Sequence, residues 1–294
     1  MLSPLMIFLL RSVRFSPALM LINAAQNESK LAVSSPAMIT TAVRAARAAA
    51  NYIVRASRRI DNLKIDQKAP NDYVSEVDQQ AEQLIIETIR KAYPDHAILA
   101  EESGEQGDHD YQWIIDPLDG TTNFLHGYPC YSISIAVRLK GRIEHGVIYD
   151  PNLDELFTAS RGNGAMMNNR RIRVARRENL QGALLATGFP FRDNQNLEQY
   201  MATLRALIQK TSGIRRPGSA ALDLAYVAAG RVDGFWEFDL RPWDIAAGVL
   251  MVAEAGGLVT DMHGGHDFLD SGNVVAANSK VLRDILTTIR PHLQ

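Results

Sequence analysis

Two hydrophobic periods alternate along the chain. Over 39–60, ITTAVRAARAAANYIVRASRRI, the residues Val43, Ala46, Ala50, Ile53 and Val54 share one face at helical spacing while the arginines fall mostly elsewhere, which predicts an amphipathic helix. A polar stretch runs to Asp78. From there DQQAEQLIIETIRKAY sets Ala81, Leu84, Ile85, Ile89 and Ala92 on one stripe until Pro94 ends it, a second helix. The period then shortens. AILAEE and YQWIID are short apolar runs that end in acid, and 131–164 alternates between turn signals as an antiparallel meander does. ALLATGF reads as a strand, 197–210 as a helix, and the alanine-rich run 219–238 as a helix giving way to a strand. Pro242, Trp243 and Asp244 open a further helix that Gly256 and Gly257 close. Strands and helices in mixed order, with no repeat and no linker after Met38, predict a layered α+β fold in a single domain, 38–294.

The N-terminal MLSPLMIFLL is apolar and is followed by Arg11 and Arg14. A signal peptide is one reading, but no basic segment precedes the apolar run, which is also too short to span a bilayer. Residues 1–37 are therefore expected to be a disordered extension, or to follow a start assigned too far upstream. At 294 residues the chain can bury a large core. Its net charge of -2 and pI of about 6.4 give no basic field to gather nucleic acid, so the expected substrate is small. One cysteine, Cys130, excludes an internal disulfide, and a mean hydropathy of -0.12 argues against a membrane protein. The expected location is the cytoplasm.

The chemistry concentrates in WIIDPLDGTTN, 113–123. A buried strand delivers Asp116 at its end and a proline turn brings Asp119 alongside. Gly120 removes side-chain bulk, and Thr121, Thr122 and Asn123 read as the start of a helix whose backbone N–H groups suit a phosphate. Two carboxylates this close repel unless protonated or bridged by a cation. The donors on offer are oxygens, with no His/Cys cluster to favour zinc, so Mg²⁺ is expected, with Mn²⁺ an acceptable substitute. Glu101 and Glu102 after a strand, Asp78 and Asp244 at helix starts, are further candidates. Taken singly, Asp78 or Asp244 also reads as a helix cap or a surface charge, and of Glu101 and Glu102 one alone is expected to face a site.

These residues resemble the inositol monophosphatase family, whose signatures are W-[IV]-[IV]-D-P-[LI]-D-G-T-T-N-F and, downstream, W-D-x-A-[AG] before a helix ending E-A-G-G. The first matches 113–124, the second 243–247 with 254–257, and the likeness runs from Met38 to the C-terminus. Within the family, 218–244 looks closest to the bacterial SuhB-type branch. The resemblance implies the layered αβαβα sandwich of the inositol monophosphatase and fructose-1,6-bisphosphatase type, a homodimer, and Mg²⁺-dependent, lithium-sensitive hydrolysis of inositol 1-phosphate without a covalent intermediate. By similarity Glu101, Asp116 and the Leu118 carbonyl hold a first metal, Asp116, Asp119 and Asp244 a second, and Glu101 helps with a weaker third. Asp78 and Thr121 match the pair that orients the attacking water. Gly120 and Thr121 match phosphate contacts, and Asp119, Gly218, Ser219, Ala220 and Glu237 match substrate contacts. Lys68 aligns with a family lysine across a loop of different length and stays outside the metal set. A broader sugar phosphatase is the alternative.

Other phosphatase chemistries fit less well. The D-x-D-G-T nucleophile motif of haloacid-dehalogenase-type enzymes is broken by the extra residue in D-P-L-D. Cys130 has Ala136, not arginine, six residues on, and reads as a packed thiol. There is no G-x-S-x-G elbow, and SRGNGA reads as a hairpin loop. RRIRVARR, 170–177, is expected to be a solvated strand face, or else a surface for the transcription-antitermination factors or RNA that the SuhB-type resemblance implies as partners.

Overall fold

The computed structural model describes the backbone at 17–62, 65–69, 72–190 and 197–293, and side chains at 37–60, 75–190 and 197–293. The chain divides into two units, Met1–Ala37 and Met38–Gln294. The expectation for 1–37 falls on positions whose side chains, up to 36, lie outside those described, as does the Lys68 side chain. Among the described residues no helix is long and apolar enough to cross a membrane.

Helix α1 (Pro17–Ala56) buries Ala42, Ala45, Ala46, Ala49 and Ile53, small side chains that let it lie close to its neighbours. The predicted helix ends earlier than Ile60: a 3-10 turn follows, in which Arg59 leaves helical geometry (φ -140°). A hairpin of β1 (Ile65–Ala69) and β2 (Asp72–Ser75) leads into α2 (Glu76–Ala92). Val77, Ala81, Ile85 and Ile89, four residues apart, all turn inward from α2. Together α1 and α2 cover one face of an eight-stranded sheet. Its strands are β3 (Ala97–Ala100), β4 (Gly104–Gln106), β5 (Tyr111–Asp119), β6 (Ser132–Leu139), β7 (Arg142–Asp150), β8 (Glu155–Ser160), β9 (Gly164–Met167) and β10 (Arg170–Arg171), in the order β10-β9-β8-β7-β6-β5-β3-β4. The predicted meander is β6 to β9, and β3 runs parallel to β5.

Strand β5 is buried from 112 to 119 because both faces are covered, which is why it reads as a continuous apolar run. Trp113 and Ile115 face α1 and α2; Ile114, one residue out of phase, faces a middle layer of α5 (Ala220–Ala228) and α6 (Pro242–Glu254). The far side of that layer meets a second sheet of β11 (Leu184–Thr187), β12 (Gly213–Arg215), β13 (Gly234–Glu237), β14 (Leu258–Thr260) and β15 (Val274–Ala277), ordered β12-β11-β13-β15-β14. Its outer face packs α4 (Leu197–Ile208) and α8 (Ser279–Ile289) through Tyr200, Leu207, Trp236 and Ile285. The order helix, sheet, helix, sheet, helix is the expected αβαβα sandwich.

The arginine segment departs from expectation. Only Arg170–Arg171 is strand; beyond it Val174 donates its N–H to Ala255 O, and the Asn278 amide holds the carbonyls of Ala175 and Arg177. Those carbonyls are taken by a side chain, so the segment has no ladder to join. Its five arginines are exposed.

Candidate active site

The C-terminal end of β5 meets the N-termini of α5, α6 and the short α3 (Thr121–Leu125) around a cavity of about 410 Å³. Pro117 lacks an N–H, and the pairing of β5 with β6 slips between Asp116, opposite Ser134, and Asp119, opposite Ser132, so the irregularity falls at Pro117 and Leu118 while both acids line the cavity. Gly120 follows with φ +101°, and a Cβ there would stand 2.9 Å from Cys130 O, so only glycine fits the turn into α3.

Glu101, Asp116, Leu118, Asp119, Thr121, Glu237 and Asp244 line this single cavity, as do Gly120 and the turn 218–220. Asp116 is 1% exposed, and its Oδ1 accepts the Leu118 N–H at 3.0 Å. Burial, then Glu101, Asp119 and Asp244, push its pKa well above the usual carboxylate range. Asp119 Oδ2 accepts from the Ser219 hydroxyl (2.6 Å) and the Ala221 N–H (2.8 Å) at the start of α5, which hold its pKa back against burial, although the net shift is still upward. Asp244 is the third residue of α6, behind Pro242 at the first turn, and its Oδ2 accepts the Arg241 N–H at 2.7 Å. Glu101 follows β3, and its loop is tied down by Glu82, whose carboxylate accepts the N–H groups of Glu102 (2.8 Å) and Ser103 (2.9 Å). Of the two adjacent acids, Glu101 lines the cavity.

Asp78 stands behind the wall, 1% exposed. It occupies the third position of α2, where Oδ2 accepts from the Ser75 N–H (2.8 Å) and hydroxyl (2.6 Å), and its Oδ1 accepts the Thr121 hydroxyl at 2.7 Å. Burial raises its pKa against the pull of those donors. The Asn123 amide joins α3 to the 218 turn through the carbonyls of Cys130 (2.7 Å) and Pro217 (2.8 Å). The Cys130 thiol is pushed up to about 12 by burial and nearby acids, which disfavours the thiolate.

Among the described residues no three acidic, histidine or cysteine side chains already converge on one point as a ready-made metal cage. Each of Asp116, Asp119 and Asp244 has an oxygen turned toward a local donor. The donor chemistry nevertheless suits a hard cation. The set is all oxygen, and Asp116 is destabilised as a carboxylate by three acids whose charge a divalent ion would offset.

The model of the inositol monophosphatase family matches residues 36–294. The chain belongs to that family. Among its relatives, Nus factor SuhB from Pseudomonas aeruginosa is 56% identical over 264 residues, spanning 87% of this chain and 97% of that one. The solved extragenic suppressor protein suhB from Bartonella henselae superposes with a TM-score of 0.85 at 47% identity, covering 87% of this chain and 100% of that chain. An inositol monophosphatase from Anabaena has a TM-score of 0.77 at 38% identity, with 87% and 96% covered. Family membership makes the chain a phosphatase, and the cavity is where its signature motifs meet.

Three residues of this inositol monophosphatase family site were not singled out from sequence. Asp223 lines the cavity at 2% exposure with its pKa pushed well up by burial, Glu237 and Asp119. Its signal was present, since it lies four residues beyond Ser219 and so on the same side of α5. Gly188 packs directly on the Glu237 carboxylate. Arg216 lies over the exposed Phe189 ring at 4.7 Å on the rim. Neither of the latter has a sequence signal, because each depends on a contact between distant segments.

Proposed function

We propose that this protein hydrolyses the phosphate monoester of a small polyol, inositol 1-phosphate, using a metal-activated water and two to three Mg²⁺ ions. The observation that carries the reading is the meeting of Glu101, Asp116, Asp119 and Asp244 at one cavity that the start of α3 and Glu237 also line. Those four carboxylates and the Leu118 carbonyl would hold the metal, which when bound neutralises phosphate charge and acidifies water. The chain's own groups do the rest. Thr121, hydrogen-bonded to Asp78, orients the attacking water and passes its proton toward a carboxylate that burial makes unusually basic. Gly120 and Thr121 present backbone N–H groups to the phosphate oxygens. Asp119, the 218–220 turn and Glu237 hold hydroxyls of the leaving group, and the same wall would serve a broader range of sugar phosphates.

The test is phosphate release from inositol 1-phosphate, fructose 1,6-bisphosphate and 2′-AMP, by wild type and Asp116→Asn, with and without Mg²⁺ and Li⁺. Mg²⁺-dependent, Li⁺-suppressed release that Asp116→Asn abolishes supports the reading, and a folded, Mg²⁺-loaded wild type that releases none refutes it.

A second role, binding transcription-antitermination factors or RNA, is favoured by the relative named Nus factor SuhB and by the five exposed arginines of 170–177, none of which lines the cavity. Charge reversal at Arg170, Arg171 and Arg173 should abolish complex formation while phosphatase activity stays intact; unchanged complex formation removes these residues from that role. A homodimer is proposed with it, for which sedimentation gives the mass directly.

A further inference from the structure

Asp223 has no part in the chemistry above. It sits in the first turn of α5, its N–H donating to Ser219 O at 3.0 Å, so its side chain emerges on the same side of the helix as Ser219, which is bonded to Asp119. It lines the cavity beside Asp119, Ala220 and Glu237 and is 2% exposed. Its Oδ1 is buried without any hydrogen-bond partner. A buried polar atom without a partner opposes folding, and such atoms recur where a ligand is to complete them. Arg216 also lines the cavity, yet the Asp223 Oδ1 remains unpaired.

We infer that Asp223 is a specificity residue, completed by a hydroxyl group on the leaving alcohol of the substrate. The inference rests on the phosphatase reading and adds a residue to it. A phosphate is excluded as the partner by charge, since Asp119 and Glu237 line the same cavity and lie close enough to Asp223 to act on it. A hydroxyl is suited to it in either protonation state, because a carboxylate accepts O–H and a carboxylic acid also donates to the hydroxyl oxygen. With Glu237 lining the same cavity, Asp223 selects leaving groups that carry at least two hydroxyls, a polyol or sugar ring rather than a simple alkyl or aryl alcohol.

The experiment compares Mg²⁺-loaded wild type, Asp223→Ala and Asp223→Asn on inositol 1-phosphate and on p-nitrophenyl phosphate, whose leaving group offers no further hydroxyl. Asp223→Ala should lose about tenfold to a hundredfold in kcat/KM on inositol 1-phosphate, mainly through KM, with p-nitrophenyl phosphate hydrolysis changed by less than about twofold. Asp223→Asn, which keeps a donor and an acceptor in the same shape, should recover most of that loss. Its Tm, and that of Asp223→Ala, should be no lower than wild type, because an unpaired buried carboxyl has been removed. Parallel losses on both substrates, or no loss on either, overturn the inference. A wild type active on p-nitrophenyl phosphate alone overturns it while leaving the phosphatase reading in place, and a wild type inactive on both overturns the two together.

Discussion

Replacing Gly188 by alanine tests how closely the second sheet shapes the cavity. Gly188 follows β11, and its backbone is outside the left-handed region, so alanine brings no conformational strain of its own. The added methyl would stand 1.8 Å from Glu237 Oε1 and 2.1 Å from its Cδ. An ordinary contact begins at 3.4 Å, so the carboxylate must retreat by about 1.6 Å (3.4 less 1.8). The obstructing atoms are the end of a flexible side chain, so the fold survives and the position of Glu237 does not. Misplacing a positioned group by about 1 Å can cost roughly a hundredfold, and losing one charged hydrogen bond to a hydroxyl about 1.5–3 kcal/mol. Gly188→Ala should therefore lower kcat/KM on inositol 1-phosphate by about tenfold to a hundredfold, with Tm within a few degrees of wild type. Glu237→Ala should show a similar loss, and the double variant should be little worse than either single one, since both remove the same contact. Wild-type kinetics for Gly188→Ala, or fully additive losses in the double variant, would refute the reasoning.

Other outcomes follow from the same geometry. Asp116→Asn keeps the oxygen that accepts the Leu118 N–H but removes a carboxylate that three acids oppose, so the metal-free variant should melt higher than wild type while Mg²⁺ no longer raises its Tm. Asp78, Asp116 and Asp119 have pKa values raised above 3.8 in the folded state, so the folded protein binds more protons than the unfolded one above that pH; the stability of the metal-free protein should fall as pH rises from about 4, and chemical denaturation across pH 4 to 8 without metal would show a flat or rising profile if this is wrong. Thr121→Val strips the hydroxyl from Asp78 Oδ1, and should cost about 1–3 kcal/mol of stability and at least about a hundredfold in kcat, read by calorimetry and by steady-state kinetics. Glu82→Ala frees two N–H groups of the Glu101 loop and should weaken Mg²⁺ binding, seen by titration calorimetry, without contacting the cavity itself.

What could be read from sequence follows the range of the forces involved. The β5 run, the Pro117 and Gly120 turn, and the helix starts at Asp78 and Asp244 are set by neighbours within a few residues, and each element is where its local chemistry puts it. The meeting of α5 and α6 between two sheets is a product of burial on both faces, and motif likeness, not periodicity, anticipated it. Asp223 had a signal in its spacing from Ser219 on α5, but the missing partner that distinguishes it, like the near-contact of Gly188 with Glu237, does not exist in one dimension. The arginine run is solvated as expected, but its strand stops at Arg171 for a related reason: the carbonyls of Ala175 and Arg177 are held by Asn278, about a hundred residues further on.

The hydrogen bonds that Asp116, Asp119 and Asp244 accept would also limit how each could bind an ion. With one oxygen of each engaged by a neighbouring donor, the other is the better ligand, which biases the site toward one oxygen per carboxylate. Ca²⁺ favours six to eight oxygens at longer distances and readily takes both oxygens of a carboxylate, whereas Mg²⁺ keeps a compact octahedron filled out by water. If the site holds Mg²⁺ as proposed, the hydrogen bonds that serve as helix and turn caps would act as an ion filter, and loosening one of them, by Ser219→Ala at Asp119, should shift the preference of the site toward the larger ion.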